Sequence, residues 1–276
     1  MEGKKEIRLV AADMDGTFLT SDRQPHPENM RAARELIQAG FTFCLASGRS
    51  IKTMRPLMAE LGLTGPIVST NGAYVLGPEG ELVQHRRLQP EILEFLIDHA
   101  EKHDLHTNHY DLDEIWFSKE GEFADLYAGR LGFYPVMKPL SEMRGAPATK
   151  LLYIAHPEVI LEQDAILRPI MEAHGVSVVI SEPDYIEFLP AGITKGAGLQ
   201  ALAESMGLQS SHVAAIGDWL NDLEMIQWAG LGAAMENAHP DVKAAADLVV
   251  GSNDEAGVAT FLSRILAESE AGIVLP

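Results

Sequence analysis

The sequence predicts an α/β fold: an open parallel sheet whose chain is interrupted by an inserted α+β module. Three observations lead there. Strand-like and helix-like patterns alternate with short loops from residue 7 to about 76, and the same rhythm returns near residue 195. Strand–helix–strand units with short loops imply parallel pairing through right-handed crossovers. Between these halves, residues from about 84 to 189 mix two long helical patterns with several short strands.

The elements follow in order. Ile7–Ala12 is an apolar strand, and Pro27–Ala39 is a helix, with Pro in its first turn and Gly40 just past its end. Phe41–Ala46 is the second strand, Ile51–Leu61 a helix closed by Gly62, and Pro66–Ser69 a third strand. Leu76-Gly-Pro-Glu-Gly-Glu-Leu reads as a hairpin turn approaching the module boundary. In the insert, helices are expected at Pro90–His103 and Glu158–His174. Strands are expected at Leu105–His109, Ile115–Ser118, Leu151–Ile154, Val176–Ser181 and Tyr185–Leu189. The α/β rhythm resumes with a helix at Lys195–Met206, a strand at His212–Ile216, a helix at Leu220–Trp228 and a strand at Gly230–Ala234. Helices at Pro240–Ala246 and Gly257–Glu268 and a short edge strand at Leu248–Val250 complete it. The core is therefore expected in residues 1–84 and 190–276, and the insert in 85–189.

Composition narrows the function. The chain has 276 residues and a formal net charge of -19, from 40 acidic and 21 basic residues. That balance argues against a nucleic-acid surface, which needs basic patches. No apolar run approaches the roughly 18 residues that cross a bilayer. The start, Met-Glu-Gly-Lys-Lys-Glu-Ile, lacks the apolar stretch of a secretory signal. The single cysteine, Cys44, lies in an apolar run and is expected in the core, which fits a reducing compartment. A cytoplasmic protein is the expectation. If its ligand is an anion, a metal cation and one or two placed basic residues must overcome the acidic background.

In an open parallel sheet, ligands bind at the carboxyl ends of the strands. Asp13, Asp15, Gly16 and Thr17 follow the first strand; Ser47, Gly48 and Arg49 the second; Thr70-Asn71-Gly72 the third. Gly217-Asp218-Trp219-Leu220-Asn221-Asp222 follows His212–Ile216, and Thr194-Lys195-Gly196 opens a helix. In an extended segment Asp13 and Asp15 leave the same side. Like charges held close are costly unless a cation neutralises them, and hard oxygen donors without His or Cys favour magnesium. Asp218 and Asp222 add two carboxylates spaced by one helical turn. Gly16 and Gly217 let the backbone turn and approach a ligand closely. Each motif alone has a plain structural reading as a turn, a cap or a solvated charge. Their occurrence together, each at a strand or helix end, is what points to a site.

The sequence resembles the haloacid dehalogenase (HAD) superfamily, and within it the Cof-type, class IIB phosphatases. Asp13-Met-Asp-Gly-Thr17 matches the first family motif, Ser47 in Leu-Ala-Ser-Gly-Arg the second, Lys195 the third and Gly217-Asp218-x-x-Asn221-Asp222 the fourth. Thr70-Asn-Gly-Ala73, Met235-Glu-Asn-Ala238 and Asn253-Asp-Glu-Ala-Gly-Val258 are secondary matches. The resemblance implies a Rossmann-like HAD core with a type-2 cap that closes over the site and selects the substrate. It implies Asp13 as nucleophile, forming an aspartyl phosphate, and Asp15 as general acid/base. Magnesium is implied on Asp13, the Asp15 backbone carbonyl and Asp218. Asp222 would orient a metal-bound water or pair with Lys195. Ser47, Gly48, Lys195 and Asn221 would hold the phosphate. The implied substrate is a small phosphorylated metabolite of the sugar phosphate, nucleotide, FMN or PLP type.

Trp219 departs from the small or polar residue usual at its motif position, and Phe18 replaces a common Leu, as a packing change. In the insert, His106 and His109 face opposite ways on a strand, which disfavours a second metal site. Trp116 and Phe117 read as cap core, and Arg86, Arg87, Lys119 and Arg144 as solvated surface before anion contacts. Two rivals remain: a sugar phosphomutase of the same fold, and a phospho-receiver module. The large insert and the presence of both Asp13 and Asp15 argue against the receiver.

Overall fold

The computed structural model describes residues 6–270; the N-terminal stretch read above for a secretory signal lies mostly outside them. Two compact units are present. One comprises residues up to Arg49, Met54–Gln84 and the chain from Thr194 onward; the other comprises Ser50–Thr53 and His85–Ile193.

In chain order the elements are β1 (Leu9–Asp13), α1 (Pro27–Gln38), β2 (Thr42–Ala46), α2 (Ile51–Leu61), β3 (Ile67–Ser69), β4 (Tyr74–Leu76) and β5 (Leu82–His85). Then come α3 (Pro90–Lys102), β6 (His106–Asp111), β7 (Glu114–Phe117), α4 (Glu122–Leu131), β8 (Val136–Met137) and α5 (Leu140–Met143). β9 (Lys150–Ile154), α6 (Pro157–Ala173), β10 (Val176–Glu182) and β11 (Tyr185–Pro190) follow. The chain ends with α7 (Lys195–Ser205), β12 (Val213–Gly217), α8 (Leu223–Trp228), β13 (Leu231–Ala234), α9 (Pro240–Ala245), β14 (Leu248–Val249) and α10 (Gly257–Glu270).

The first unit is built on an eight-stranded sheet of order β14-β13-β12-β1-β2-β3-β4-β5. From β14 to β3 every pairing is parallel. β4 then turns back antiparallel on β3, and Gly77 donates to the Glu81 carbonyl across the predicted hairpin turn. Parallel strands covered on both faces read as continuous apolar runs, and β1, Leu-Val-Ala-Ala-Asp, is buried along its whole length. From β1 the chain runs outward through β2 and β3, and later through β12, β13 and β14 on the other side. The reversal falls between β1 and β12, so the carboxyl ends of these neighbours form the crevice where such sheets bind ligands.

The helices follow from their ends and faces. Pro27 occupies the first turn of α1, and His26 caps it by accepting from the Glu28 N–H. Its buried residues Asn29, Met30, Ala33 and Leu36 recur at helical spacing. Burying a side chain such as Leu36 stabilises the fold by about 1.5–3 kcal/mol. Phe18 is fully buried against Phe43, with ring centroids 5.8 Å apart, as the packing reading expects. Cys44 is a free, buried thiol that burial pushes up to about 12.

The second unit has a six-stranded sheet of order β10-β11-β9-β6-β7-β8, antiparallel except for the last pair. Alternation along β9 divides its two faces. Leu151 and Tyr153 pack with Leu96, Ile97, Ile160 and Leu167 of α3 and α6. Leu152 and Ile154 pack with Ala124, Tyr127 and Ala128 of α4. Phe117 is buried core, and Trp116 packs half-buried against the α3–α6 cluster. His106 bonds Asn108, whereas His109 stacks on Trp116 at 4.5 Å. Arg87, Lys119 and Arg144 are each engaged by carboxylates, of Asp111, of Asp104, and of Glu94, Asp98 and Glu101.

Two sequence expectations change. The single helix expected at Leu220–Trp228 is a 3-10 turn, Leu220–Asp222, followed by α8, because Asp222 turns its carboxylate back onto the loop amides. Residues 119–149, where the pattern suggests no element, carry α4, β8 and α5. A two-residue strand and a four-residue helix are too short for periodicity to show. Among the described residues no helix is long and apolar enough to cross a membrane.

Candidate active site

β1 ends at Asp13, and Met14–Phe18 wind into a tight turn with Gly16 at φ 77°. Strand alternation therefore does not carry through to Asp15, and the two acids meet different partners. Asp13 is buried, with Lys195 Nζ donating to its Oδ1 at 2.5 Å. Asp15, with its side chain 45% exposed, is held by Arg49 through both oxygens.

Lys195 is the first residue of α7, whose N-terminus is capped by the Thr194 hydroxyl accepting from the Ala197 N–H. Its ammonium is buried and also donates to Asp222 Oδ1 at 2.6 Å. The other Asp222 oxygen accepts the N–H groups of Asp218 and Trp219, both at 3.0 Å. Thr17 Oγ1 donates to Asp218 Oδ1 at 2.7 Å and so ties the loop after β1 to the loop after β12.

The outcome is a buried cluster in which Asp13, Asp218 and Asp222 each offer an oxygen, all within 4.8 Å of one another. Burial raises Asp13 well above the usual carboxylate range, and the charges of Asp222 and Asp218 add to this against Lys195. Burial likewise lifts Asp218 to about 6, against the Thr17 hydrogen bond. Lys195 is held above the ordinary lysine value, since Asp13 and Asp222 outweigh its desolvation. Three buried carboxylates share a single ammonium, and a cation placed among them would relieve their mutual repulsion. The donors are all oxygen, the set that suits magnesium. The residues present fit such an ion.

Ser47, Gly48 and Asn221 form a second group, joined by Asn71. The Asn71 N–H donates to the Ser47 carbonyl at 3.0 Å, and its Oδ1 accepts from Asn221 Nδ2 at 3.2 Å. A Cβ on Gly48 would lie 3.2 Å from the same Oδ1. Thr70 and Asn71 sit at φ 52° and 53°, a strained conformation of the kind found at functional sites.

A model of haloacid dehalogenase-like hydrolases matches residues 10–262. The chain belongs to the haloacid dehalogenase-like hydrolase family. Among curated relatives, the hydrolase is 33% identical to an HMP-PP phosphatase of Serratia proteamaculans (strain 568), covering 94% of this chain and 95% of that one. It is 29% identical to a 5-amino-6-(5-phospho-D-ribitylamino)uracil phosphatase of Bacillus subtilis (strain 168), covering 92% and 94%. Among solved structures, a haloacid dehalogenase-like hydrolase from Bacteroides thetaiotaomicron superposes with a TM-score of 0.87 at 30% identity, covering 94% of this chain and all of that one. The reaction class, hydrolysis of a phosphoric monoester, follows from the family and these phosphatases.

Of the three secondary motifs in this hydrolase, Met235-Glu-Asn-Ala238 and Asn253-Asp-Glu-Ala-Gly-Val258 act on one turn. Their asparagines clamp the turn after β1. Asn237 Nδ2 donates to the Gly16 carbonyl at 2.8 Å, and Asn253 Nδ2 to the Leu19 carbonyl at 3.0 Å. Asn29, which the sequence reading missed, donates to the Phe18 carbonyl at 3.0 Å and accepts from the Ala259 N–H. An asparagine on the buried stripe of α1 was the available signal. Trp219 is 53% exposed and meets His239 edge-on at 5.4 Å.

Gly16 has no room for a side chain. A Cβ there would lie 2.4 Å from Asp218 Oδ2, at a left-handed φ. Gly16→Ala should lower kcat about 100-fold, as an ångström-scale misplacement of reacting groups does, while the protein stays folded. Steady-state phosphate release and a thermal melt check this together.

Proposed function

We propose that this HAD-type phosphatase hydrolyses small phosphorylated metabolites, of the sugar phosphate, nucleotide, FMN or PLP type, through an aspartyl phosphate on Asp13. The observation that carries the reading is the buried cluster of Asp13, Asp218 and Asp222 on Lys195. A phosphatase needs a carboxylate nucleophile aimed at phosphorus and fixed positive charge to receive the phosphoryl oxygens. That cluster has the right residue types for both.

In the first step an Asp13 oxygen bonds to phosphorus as the bond to the leaving oxygen breaks, and Asp15 gives that oxygen a proton. In the second, Asp15 takes a proton from water, whose oxygen bonds to phosphorus and releases Asp13 and inorganic phosphate. Ser47, the Gly48 backbone, Asn221 and Lys195 hold the phosphoryl oxygens. Asp13, Asp218 and the Asp15 carbonyl would hold magnesium, with Asp222 orienting the group and fixing Lys195. Bound there, the cation supplies charge that offsets repulsion between the carboxylates and the incoming phosphate. We assign substrate choice to the inserted unit. The names of the relatives, an HMP-PP phosphatase and a 5-amino-6-(5-phospho-D-ribitylamino)uracil phosphatase, support a small phosphorylated compound as the substrate.

The test is hydrolysis of p-nitrophenyl phosphate followed by a panel of phosphorylated metabolites, ranked by kcat/KM. Linear multiple-turnover release of phosphate, abolished by chelation and restored by magnesium, is the expected result. Metal-independent hydrolysis contradicts the assigned ion, and a stoichiometric burst without turnover contradicts the enzyme reading.

A further inference from the structure

Two cations stand among the site residues, and they are placed differently. Lys195 is 2% exposed and committed to Asp13 and Asp222, whereas the Arg49 side chain is 26% exposed. Arg49 Nε and Nη2 donate to Asp15 Oδ2 and Oδ1 at 2.7 and 2.6 Å, a fork on both carboxylate oxygens. In this geometry the guanidinium takes a lone pair on each Asp15 oxygen and fixes the carboxylate's orientation toward Arg49, away from free rotation toward a leaving group or water. The Arg49 backbone is fixed on both sides. Its N–H donates to Ser47 Oγ at 3.2 Å, and its carbonyl accepts from the Thr70 N–H at 2.9 Å and the Ser69 hydroxyl at 3.2 Å. The side chain is then the part left to change partners. A guanidinium fork fits a phosphate as it fits a carboxylate, and Ser47, a proposed phosphate ligand, lies two residues away.

We propose that Arg49 serves two anions in turn: Asp15 in the free protein and the substrate phosphate in the complex, so that phosphate binding frees Asp15 for proton transfer. This rests on the phosphatase reading, with Asp15 as its acid/base. It gives an acidic protein a second positive contact for its anionic substrate. It also couples the release of Asp15 to the arrival of phosphate.

The experiment is a double-mutant cycle read by calorimetric titration of inorganic phosphate in magnesium buffer. It uses wild type, Asp15→Asn, Arg49→Ala and the double variant, with melting curves for each. Competition for Arg49 means that Asp15→Asn binds phosphate about tenfold more tightly than wild type, a gain absent in the Arg49→Ala background. Arg49→Lys, which keeps the charge without the fork, should show a reduced gain. An equal effect of Asp15→Asn with and without Arg49, in a protein that turns over p-nitrophenyl phosphate, overturns this proposal alone. A wild type that neither binds phosphate nor releases it overturns the phosphatase reading and the proposal with it.

Discussion

Asp13→Asn should abolish turnover, lowering kcat by about four orders of magnitude or more, while leaving the protein as stable as before in metal-free buffer. The first half follows from the proposed role, since an amide oxygen does not take the phosphoryl group. The second follows from the cluster. Burial and the neighbouring carboxylates raise Asp13 above its unfolded value. Its ionised form is therefore disfavoured in the folded state, and this contribution to stability is full at low pH and falls as the pH rises. Asparagine removes that cost, keeps the shape, and leaves Lys195 its bond to Asp222. Single-turnover assays and melting curves with and without chelator measure both halves. Residual activity within tenfold of wild type would sink the nucleophile assignment.

Lys195→Met should destabilise the metal-free protein by about 3–5 kcal/mol, the usual result of removing one partner from a buried ionic group. The partners left behind, Asp13 and Asp222, are both buried, so solvent screens little of the loss. Magnesium should recover part of it, because a divalent cation neutralises the same carboxylates. Activity should stay low even so, as the proposed phosphate contact is gone. Denaturant melts in chelator and in magnesium give the comparison. An unchanged midpoint in chelator would mean that the ammonium is not what holds the carboxylates together.

The chemistry at the strand ends was legible because of how parallel sheets are made. Buried strands read as apolar runs, so the polar residues that stop them stand out. Asp13, Ser47 and Asp218 each lie at or just beyond the end of β1, β2 or β12. Less legible was the way loops distant in sequence share side chains. Arg49 was visible only as the third residue of Ser-Gly-Arg, and nothing in that triplet points to Asp15, 34 residues earlier. Asn71 looks like an ordinary turn residue until its φ of 53° and its bond to Asn221 are seen. The separation of Asp15 from Asp13 was hidden for another reason. Period-two alternation holds only while the chain is a strand, and β1 stops one residue before Met14 could serve as the spacer.

The hydrogen bond from Thr17 to Asp218 joins groups 201 residues apart. A ribosome adding about 5–20 residues per second needs of order ten to forty seconds to cover that distance. Through nearly all of that interval the emerged β1 lacks its β12 neighbour, and for most of it Lys195 has not been made to stand beside Asp13. Under the proposed mechanism the nascent first half carries Asp13 without the lysine that engages it, and competence arrives late, when the last third of the chain is delivered. It also leaves an apolar strand edge open during synthesis, the kind of surface that chaperones cover.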